Sequence, residues 1–258
     1  MTAASDVFQG KHILPMRPEE EIQVVRRFFG SRHGYFVEVG ANDPQNLSQT
    51  FHLEEAGWTG ALIEPQPALV AALRRQRKAK VFGVACSSPE NSGKTMQLHL
   101  AGSHSSFDPR LNVATVATTG AIDVPTRTLD EVLTEADAPV PIDFLSIDVE
   151  GHEIEVLRGL GFSHWRPRLI LVEDLVMNLR LHHFLRMQGY KWWGRTGLNS
   201  WYVPAEAEQR VSWLGQWQFF RKYYLATPFR HLREGLRRAH FRRKNPPGDH
   251  ISGSEANT

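Results

Sequence analysis

From Asp143 to Glu153 the chain reads D-F-L-S-I-D-V-E-G-H-E, and this stretch restricts the fold more than any other. Phe144 to Val149 is an apolar, β-prone run, too short for a helix, that ends among acids before Gly151 opens a helix-like segment. A buried, unpaired charge is costly, so acids at the end of such a run need a site that uses them. A parallel α/β sheet provides one, because its ligand crevice lies outside the carboxyl ends of its strands. Phe36 to Asp43, F-V-E-V-G-A-N-D, has the same design about a hundred residues earlier. Two acid-tipped strands predict a small-molecule site at the top of a Rossmann-like sheet, and hence an enzyme.

The rest of the chain supplies the alternation such a sheet needs. Strands are expected at Tyr35 to Val39, Ala61 to Ile63, Val81 to Ala85, Phe144 to Val149 and Leu169 to Val172. Helices are expected at Glu19 to Phe29, Leu47 to Ala56, Pro67 to Arg77, Thr128 to Ala136, Glu153 to Leu160 and Asn178 to Met187. Pro67 suits a first helical turn, and Thr128 with Glu131 forms a capping-box pattern. Thr95 to Leu100 alternates like a half-buried strand, and Gly102 to Asn112 reads as a polar loop. Tyr190 to Trp193 and Ser200 to Val203 read as a closing antiparallel hairpin. Strand-helix alternation ending in a hairpin predicts an α/β, mostly parallel, doubly wound sheet. The expected organisation is a flexible lead-in at 1–18, the α/β domain at 19–204, a basic aromatic helical extension at 205–244 and a disordered tail at 245–258. Cys86 is the sole cysteine, which excludes an intrachain disulfide and any multi-Cys metal site and fits a reducing compartment. No apolar run reaches the roughly 18 residues of a membrane span, and Met1 to Gly10 lacks a signal-peptide pattern. The expected location is cytoplasmic.

Three constellations carry the chemistry. Gly40, just past the first strand, lets the backbone approach a ligand, and Glu38 beside it can accept a hydrogen bond from a cationic amino group. A dinucleotide turn needs G-x-G-x-x-G for its pyrophosphate. Here two of those glycines are absent and an acid stands in the motif, which suits a ligand without phosphates and with a positive charge. S-adenosylmethionine meets both conditions. Glu64 lies 24 residues after Gly40, at the tip of the next strand. An acid at about that distance grips the hydroxyls of an adenosine ribose. Asp148 and Glu150 share parity at the third acid-tipped strand, where carboxylates can bind a cation, hold a hydroxyl substrate or accept its proton. Glu153 has a competing use in capping the helix that follows. His104, in the Ser-rich loop, is a further candidate base. Glu173-Asp174 ends the next strand and borders the acceptor region. His182 and His183 diverge on a helix and cannot share one metal, so no metal-ligand set is assigned.

Together these residues resemble the FkbM family of methyltransferases. The resemblance rests on F-V-E-V-G-A-N-D at 36–43, I-E-P at 63–65, V-A-C-S at 84–87, T-L-D at 128–130 and S-I-D-V-E-G-H-E at 146–153, and spans roughly residues 33–203. It implies a class I methyltransferase fold, a seven-stranded sheet with its last strand antiparallel, with S-adenosylmethionine as methyl donor. It also implies O-methylation of a hydroxyl, often on a sugar or polyketide. Carried over, Glu38, Gly40 and Asn42 belong to the cofactor turn, Glu64 is the ribose acid, and Cys86 with Ser87 forms the adenine edge. Asp148 and Glu150 stand beside the sulfonium and the acceptor. The turn departs from many relatives, which have Asp and a following Gly where this chain has Glu38 with Asn42-Asp43. A small-molecule, saccharide or lipid-linked glycan acceptor follows by analogy.

The chain carries +2 overall, yet Gln218 to Lys244 holds nine Lys or Arg against Glu234 alone, a net +8 that leaves −6 for the remainder. Trp213, Trp217, Phe220 and Tyr224 fall at helical spacing there. Such a segment can lie on an anionic membrane surface, pack its stripe on the domain, or, as a lesser reading, meet nucleic acid. Peripheral association with the inner membrane surface is the expectation. Two other functions share these features: a nucleotide-cofactor oxidoreductase, which the missing glycines disfavour, and a catalytically silent, membrane-associated binding protein.

Overall fold

The computed structural model describes residues 18–46, 48–102, 104–108, 119–174 and 179–229, with Leu232 and Gly235. The expected lead-in, the tail and the basic residues from Arg230 to Lys244 lie outside the described residues. Helix α1 (Pro18–Phe29) carries Glu19, Glu20 and Glu21 in its first turn and Arg26 and Arg27 in its last, charges that complement the helix dipole. There follow β1 (Tyr35–Val39), α2 (Phe51–Glu55), β2 (Thr59–Ile63), α3 (Pro67–Gln76), β3 (Lys80–Phe82) and β4 (Ala85–Cys86). Then come β5 (Thr95–Leu100), β6 (Gly120–Arg127), α4 (Leu129–Glu135), β7 (Phe144–Ile147), α5 (Glu153–Arg158) and α6 (Phe162–Trp165). β8 (Leu169–Glu173), α7 (Arg180–Met187), β9 (Tyr190–Thr196), β10 (Asn199–Pro204) and α8 (Trp213–Phe220) follow, the last running into a π-helical turn over Arg221–Leu225.

Seven strands form one sheet in the order β3-β2-β1-β7-β8-β10-β9. β1 pairs in parallel with β2 on one side and with β7 on the other. β10, the last strand, runs antiparallel to both β8 and β9. The expected mostly parallel sheet with an antiparallel terminal strand is therefore present. The strand order reverses between β1 and β7, and a doubly wound sheet opens its crevice at such a switch point. Because Val39 lies opposite Ile147, the turns after Val39 and after Ile147 meet there.

Alternation along the buried strands divides the core between the two faces of the sheet. Val37, Val39, Ile63, Leu145, Ile147 and Ile170 pack under α4, α5 and α7, while Phe36, Leu62, Phe144 and Leu171 pack with Val24, Val25 and Leu73. The capping box of α4 is formed: Glu131 N–H donates to Thr128 Oγ1 at 3.1 Å, and Thr128 N–H donates to Glu131 Oε2 at 2.8 Å.

The expected third strand, Val81 to Ala85, divides in two. Lys80–Phe82 stays at the edge of the main sheet, whereas Ala85–Cys86 leaves it to pair with β6 in a second sheet, β4-β6-β5. β6 was not among the expected strands, and it contains Pro125, a residue that argues against a strand when it falls within a run. The structure tolerates it near the end of the ladder, opposite Thr95. Asp174 and the residues around it receive the chain's last described elements. Tyr223 is buried with its hydroxyl donating to Asp174, and Phe219 packs on Trp192 and His182.

Candidate functional site

A cleft of about 550 Å³, counting its open mouth, lies at the switch point. Of the residues singled out from the sequence, Gly40, Asn42, Glu64, Cys86, Asp148 and Glu150 line it. Gly40 is needed there for two reasons. Its φ is +85°, in the region that favours glycine, and a Cβ built on it would stand 1.9 Å from the carbonyl oxygen of Asp148. The bare backbone lets the β1 and β7 turns touch.

Glu64 is buried and aimed. The N–H of Asn42 donates to its Oε2 at 3.0 Å and the N–H of Gln66 to its Oε1 at 2.9 Å. A carboxylate oxygen accepts more than one hydrogen bond, so both oxygens keep capacity for a ligand's hydroxyls. Burial raises the Glu64 pKa, and the two amide donors oppose that rise. Asn42 itself adopts φ +48° to bring its N–H round.

Glu38 does not reach the cleft. It shares the face of β1 with Phe36, and its carboxylate accepts from Gln49 N–H at 2.7 Å, Thr50 Oγ1 at 2.5 Å and Ser48 Oγ at 3.1 Å. Arg77, fully buried, approaches it to 3.9 Å and also donates to Pro44 O and Thr50 Oγ1. Burial raises the Glu38 pKa, with Thr50 and Arg77 opposing. The acid thus anchors the turn after β1 from behind. Ser87 also sits behind the wall: its N–H donates to Arg127 O at 2.9 Å, and its hydroxyl bonds His152 Nε2 and Asn91 Nδ2, each at 3.0 Å.

Cys86 is part of the wall, and burial pushes its thiol up to about 12, so it presents a neutral, apolar surface. Phe107, Ser105, Val149 and His152 complete this side and were not assigned a role from the sequence. His152 lies within S-I-D-V-E-G-H-E at 146–153, and its ring packs on Phe107 at 4.9 Å. Burial lowers its pKa.

At the other end, Asp148 and Glu150 come together, but not as parity on a strand predicts. β7 ends at Ile147, and Glu150 takes φ +52° in the following turn. His104 Nδ1 reaches Glu150 Oε1 at 2.8 Å, and Ser106 Oγ donates to Glu150 O at 2.7 Å. The Ser-rich loop and the β7 tip therefore form one edge. Glu153 turns back to accept from Gly151 N–H at 2.8 Å, serving its own helix. Burial first, then the charges of Glu150 and Glu153, push the Asp148 carboxyl up to about 7. Glu173, at the tip of β8, joins the group and is pushed up to about 9 by burial and then by Asp148. An acid that keeps its proton near neutrality suits acid-base work. His182 takes no part, being packed against Tyr202 and Phe219.

Residues 38–191 match the methyltransferase FkbM domain. No curated protein matches the chain. Among solved structures, the N-terminal domain of human METTL16 in complex with SAH resembles it with a TM-score of 0.41 and 13% identity, over 74% of this chain and 70% of that one. The human METTL16 catalytic domain in complex with a MAT2A 3′UTR hairpin gives a TM-score of 0.40 and 13% identity, over 82% and 78%. Likeness at that level says nothing of ligand or substrate. The domain match spans more than half of the chain and contains Glu38, Gly40, Glu64, Cys86, Asp148 and Glu150, so this chain belongs to the FkbM family of S-adenosylmethionine-dependent methyltransferases.

Proposed function

We propose that the chain methylates a hydroxyl oxygen of a small molecule, a saccharide or a lipid-linked glycan. One observation carries this reading: Asp148 and Glu150, with His104 on Glu150, form an acid-base edge on the same cleft that Gly40 and Glu64 line. S-adenosylmethionine supplies an electrophilic methyl group carried on a sulfonium. The residues present fit it. Gly40 lets the backbone of its turn close on the Asp148 carbonyl beside the cleft, Glu64 offers a buried, oriented carboxylate to ribose hydroxyls, and Cys86 and Phe107 offer apolar walls for a base.

In this reading Asp148 accepts the proton of the acceptor hydroxyl, or orients that hydroxyl, and Glu150 with His104 passes charge to solvent at the rim. The rest of the work is alignment, since bringing reacting atoms to near-attack distance lowers the barrier substantially. The test is transfer of a radiolabelled methyl group from the donor to fractionated cell extract. Label is expected in the glycan, lipid or small-molecule fraction. Label confined to RNA or protein would refute the hydroxyl-acceptor reading, and no transfer with intact S-adenosylhomocysteine binding would favour a silent binding protein.

A second feature favours work at an anionic membrane surface. The stripe Trp213, Trp217, Phe220 and Tyr224 faces outward, with Trp213 79% exposed, while Phe219 and Tyr223 make the inward contacts. Arg221 is exposed beside it, and eight more of the nine basic residues of 218–244 belong to the same stretch of sequence. Outward aromatics among cations suit an interfacial segment. No helix among the described residues is long and apolar enough to cross a membrane. Co-sedimentation with anionic and with neutral vesicles checks this, and equal binding to both would refute a charge-dependent surface.

A further inference from the structure

The acidic edge contains more carboxyl groups than a proton acceptor needs. One carboxylate oxygen from each of Asp148, Glu150 and Glu173 lies within 4.8 Å of the others. They arrive from separate places: the end of β7, a strained turn and the tip of β8. Glu173 is 9% exposed, and its Oε2 is buried with no hydrogen-bond partner among the described residues. An unpaired buried carboxylate oxygen is strongly unfavourable.

The neighbouring cations make their direct contacts at the margin of the trio. Arg195 donates through NH2 to the Asp174 carbonyl at 2.6 Å and pairs with the Asp174 carboxylate at 3.6 Å. His104 contacts Glu150 from the solvent side. Glu153 and Glu21 add further acid nearby, each with its own hydrogen bonds. Among the described residues, Asp148 and Glu173 form no ion pair.

We propose that Asp148, Glu150 and Glu173 form the site of a hard divalent cation, Mg²⁺ or Mn²⁺, at the acceptor end of the cleft. Three features support that class of ion. The donors are all carboxylate oxygens, which suit Mg²⁺, Mn²⁺ or Ca²⁺ rather than a soft metal. The three oxygens lie within 4.8 Å of one another, near the spread of donors that stand about 2.1 Å from a shared Mg²⁺. Three such donors leave about half of an octahedral shell open, and Asp148 and Glu150 turn that open side to the cleft. An acceptor hydroxyl would complete the shell there, its acidity raised by the ion, which would divide the proton-removing task between metal and carboxylate. The role at the acceptor rests on the methyltransferase reading above, but the ion site does not.

The experiment is titration of the full chain, first stripped with a chelator, with Mn²⁺ alone, read by calorimetry and by loss of the free-ion electron paramagnetic resonance signal. One ion per chain is expected, displaced by Mg²⁺. Glu173→Gln and Asp148→Asn, which keep shape and remove charge, are each expected to weaken Mn²⁺ by about tenfold or more, since ligand charge sets affinity in such sites. If Glu173→Gln does not fold, Glu150→Gln at the partly exposed position decides the question with the same expected loss. No Mn²⁺ binding at millimolar concentration, or equal binding by wild type and the variants, would overturn the site. Titration of the same samples with S-adenosylhomocysteine separates the two readings. Cofactor heat without Mn²⁺ heat removes the metal alone, and Mn²⁺ heat without cofactor heat removes the methyltransferase chemistry and leaves the ion site standing.

Discussion

At the scale of single residues, the cleft depends on two groups that do different work. Gly40 lets the β1 and β7 turns meet, and Glu64 presents a carboxylate oriented by two amide donors. Glu64→Ala removes a carboxylate held by two amide donors and, in the proposed reading, leaves ribose hydroxyls without a charged acceptor. We expect cofactor binding to weaken by about 1.5 to 3 kcal/mol. An unchanged dissociation constant in a folded Glu64→Ala variant would remove that residue from the site. Asp148→Asn tests the chemistry instead. Turnover is expected to fall by about a hundredfold or more, with cofactor affinity changing less. Undiminished turnover would move the role to Glu150. These two variants were designable from the sequence, since both acids follow an apolar run. Glu38 was equally visible as an acid, yet its partners were not. Its carboxylate meets Thr50 and Arg77, and no local pattern states which way a strand-tip side chain turns.

At the scale of elements, the turn after β1 is held by Arg77, which sits at the C-terminal end of α3. Its guanidinium bridges Glu54 on α2 at 3.2 Å, Pro44 O at 3.0 Å and Thr50 Oγ1 at 3.0 Å. Removing one member of a buried charge network leaves the others uncompensated. Arg77→Met is therefore expected to cost about 3 to 5 kcal/mol of stability, read by urea unfolding. A loss below about 1 kcal/mol would mean that water replaces the arginine. The helix α7 gives a pH-dependent prediction. Burial first, then the charges of Arg186 and His183 against the opposing pull of Asp174, bring His182 down to about 4 from 6.5. Tyr202, Phe219 and Tyr223 pack around its ring. A depressed folded-state pKa contributes stability that is present above about 6.5 and is lost as pH falls towards about 4. His182→Phe should therefore gain stability relative to wild type as pH falls through that window. A constant difference between the two proteins across it would show that the ring is solvated in the folded chain.

At the scale of the whole molecule, the C-terminal helix joins two surfaces. Its inward residues continue the core, with Tyr223 3% exposed, and its outward aromatics stay open. Replacing Trp213 and Trp217 together by Ser leaves the inward contacts in place. The double variant is expected to keep the wild-type melting temperature and to lose most of its binding to anionic vesicles. Salt should release the wild type, because screening at about 0.15 M confines such attraction to about 8 Å. Binding unchanged in the Trp variant would assign the surface to the basic residues alone. Cleaving the chain after Pro204 is a different experiment, since it uncovers Trp192 and Tyr202 and removes the Tyr223 partner of Asp174.

Much of this was legible in sequence because it is local. Strands announce themselves by apolar runs, α4 by its capping box, and the crevice by acids and glycine at strand ends. Each needs only a few adjacent residues, and period and propensity suffice to read them. The edge sheet, the direction of Glu38, the outward turn of the aromatic stripe and the meeting of Glu173 with Asp148 were decided only by the tertiary structure. β4 left the main sheet because β6, some forty residues on, offered it a partner. Glu173 joined the β7 tip because β7 and β8 pair in parallel, Ile147 opposite Val172, which brings both strand ends to the same rim. The sequence thus determined which residues could do chemistry. Which of them share a site followed from strand pairing, because parallel neighbours in a sheet are always distant in the chain.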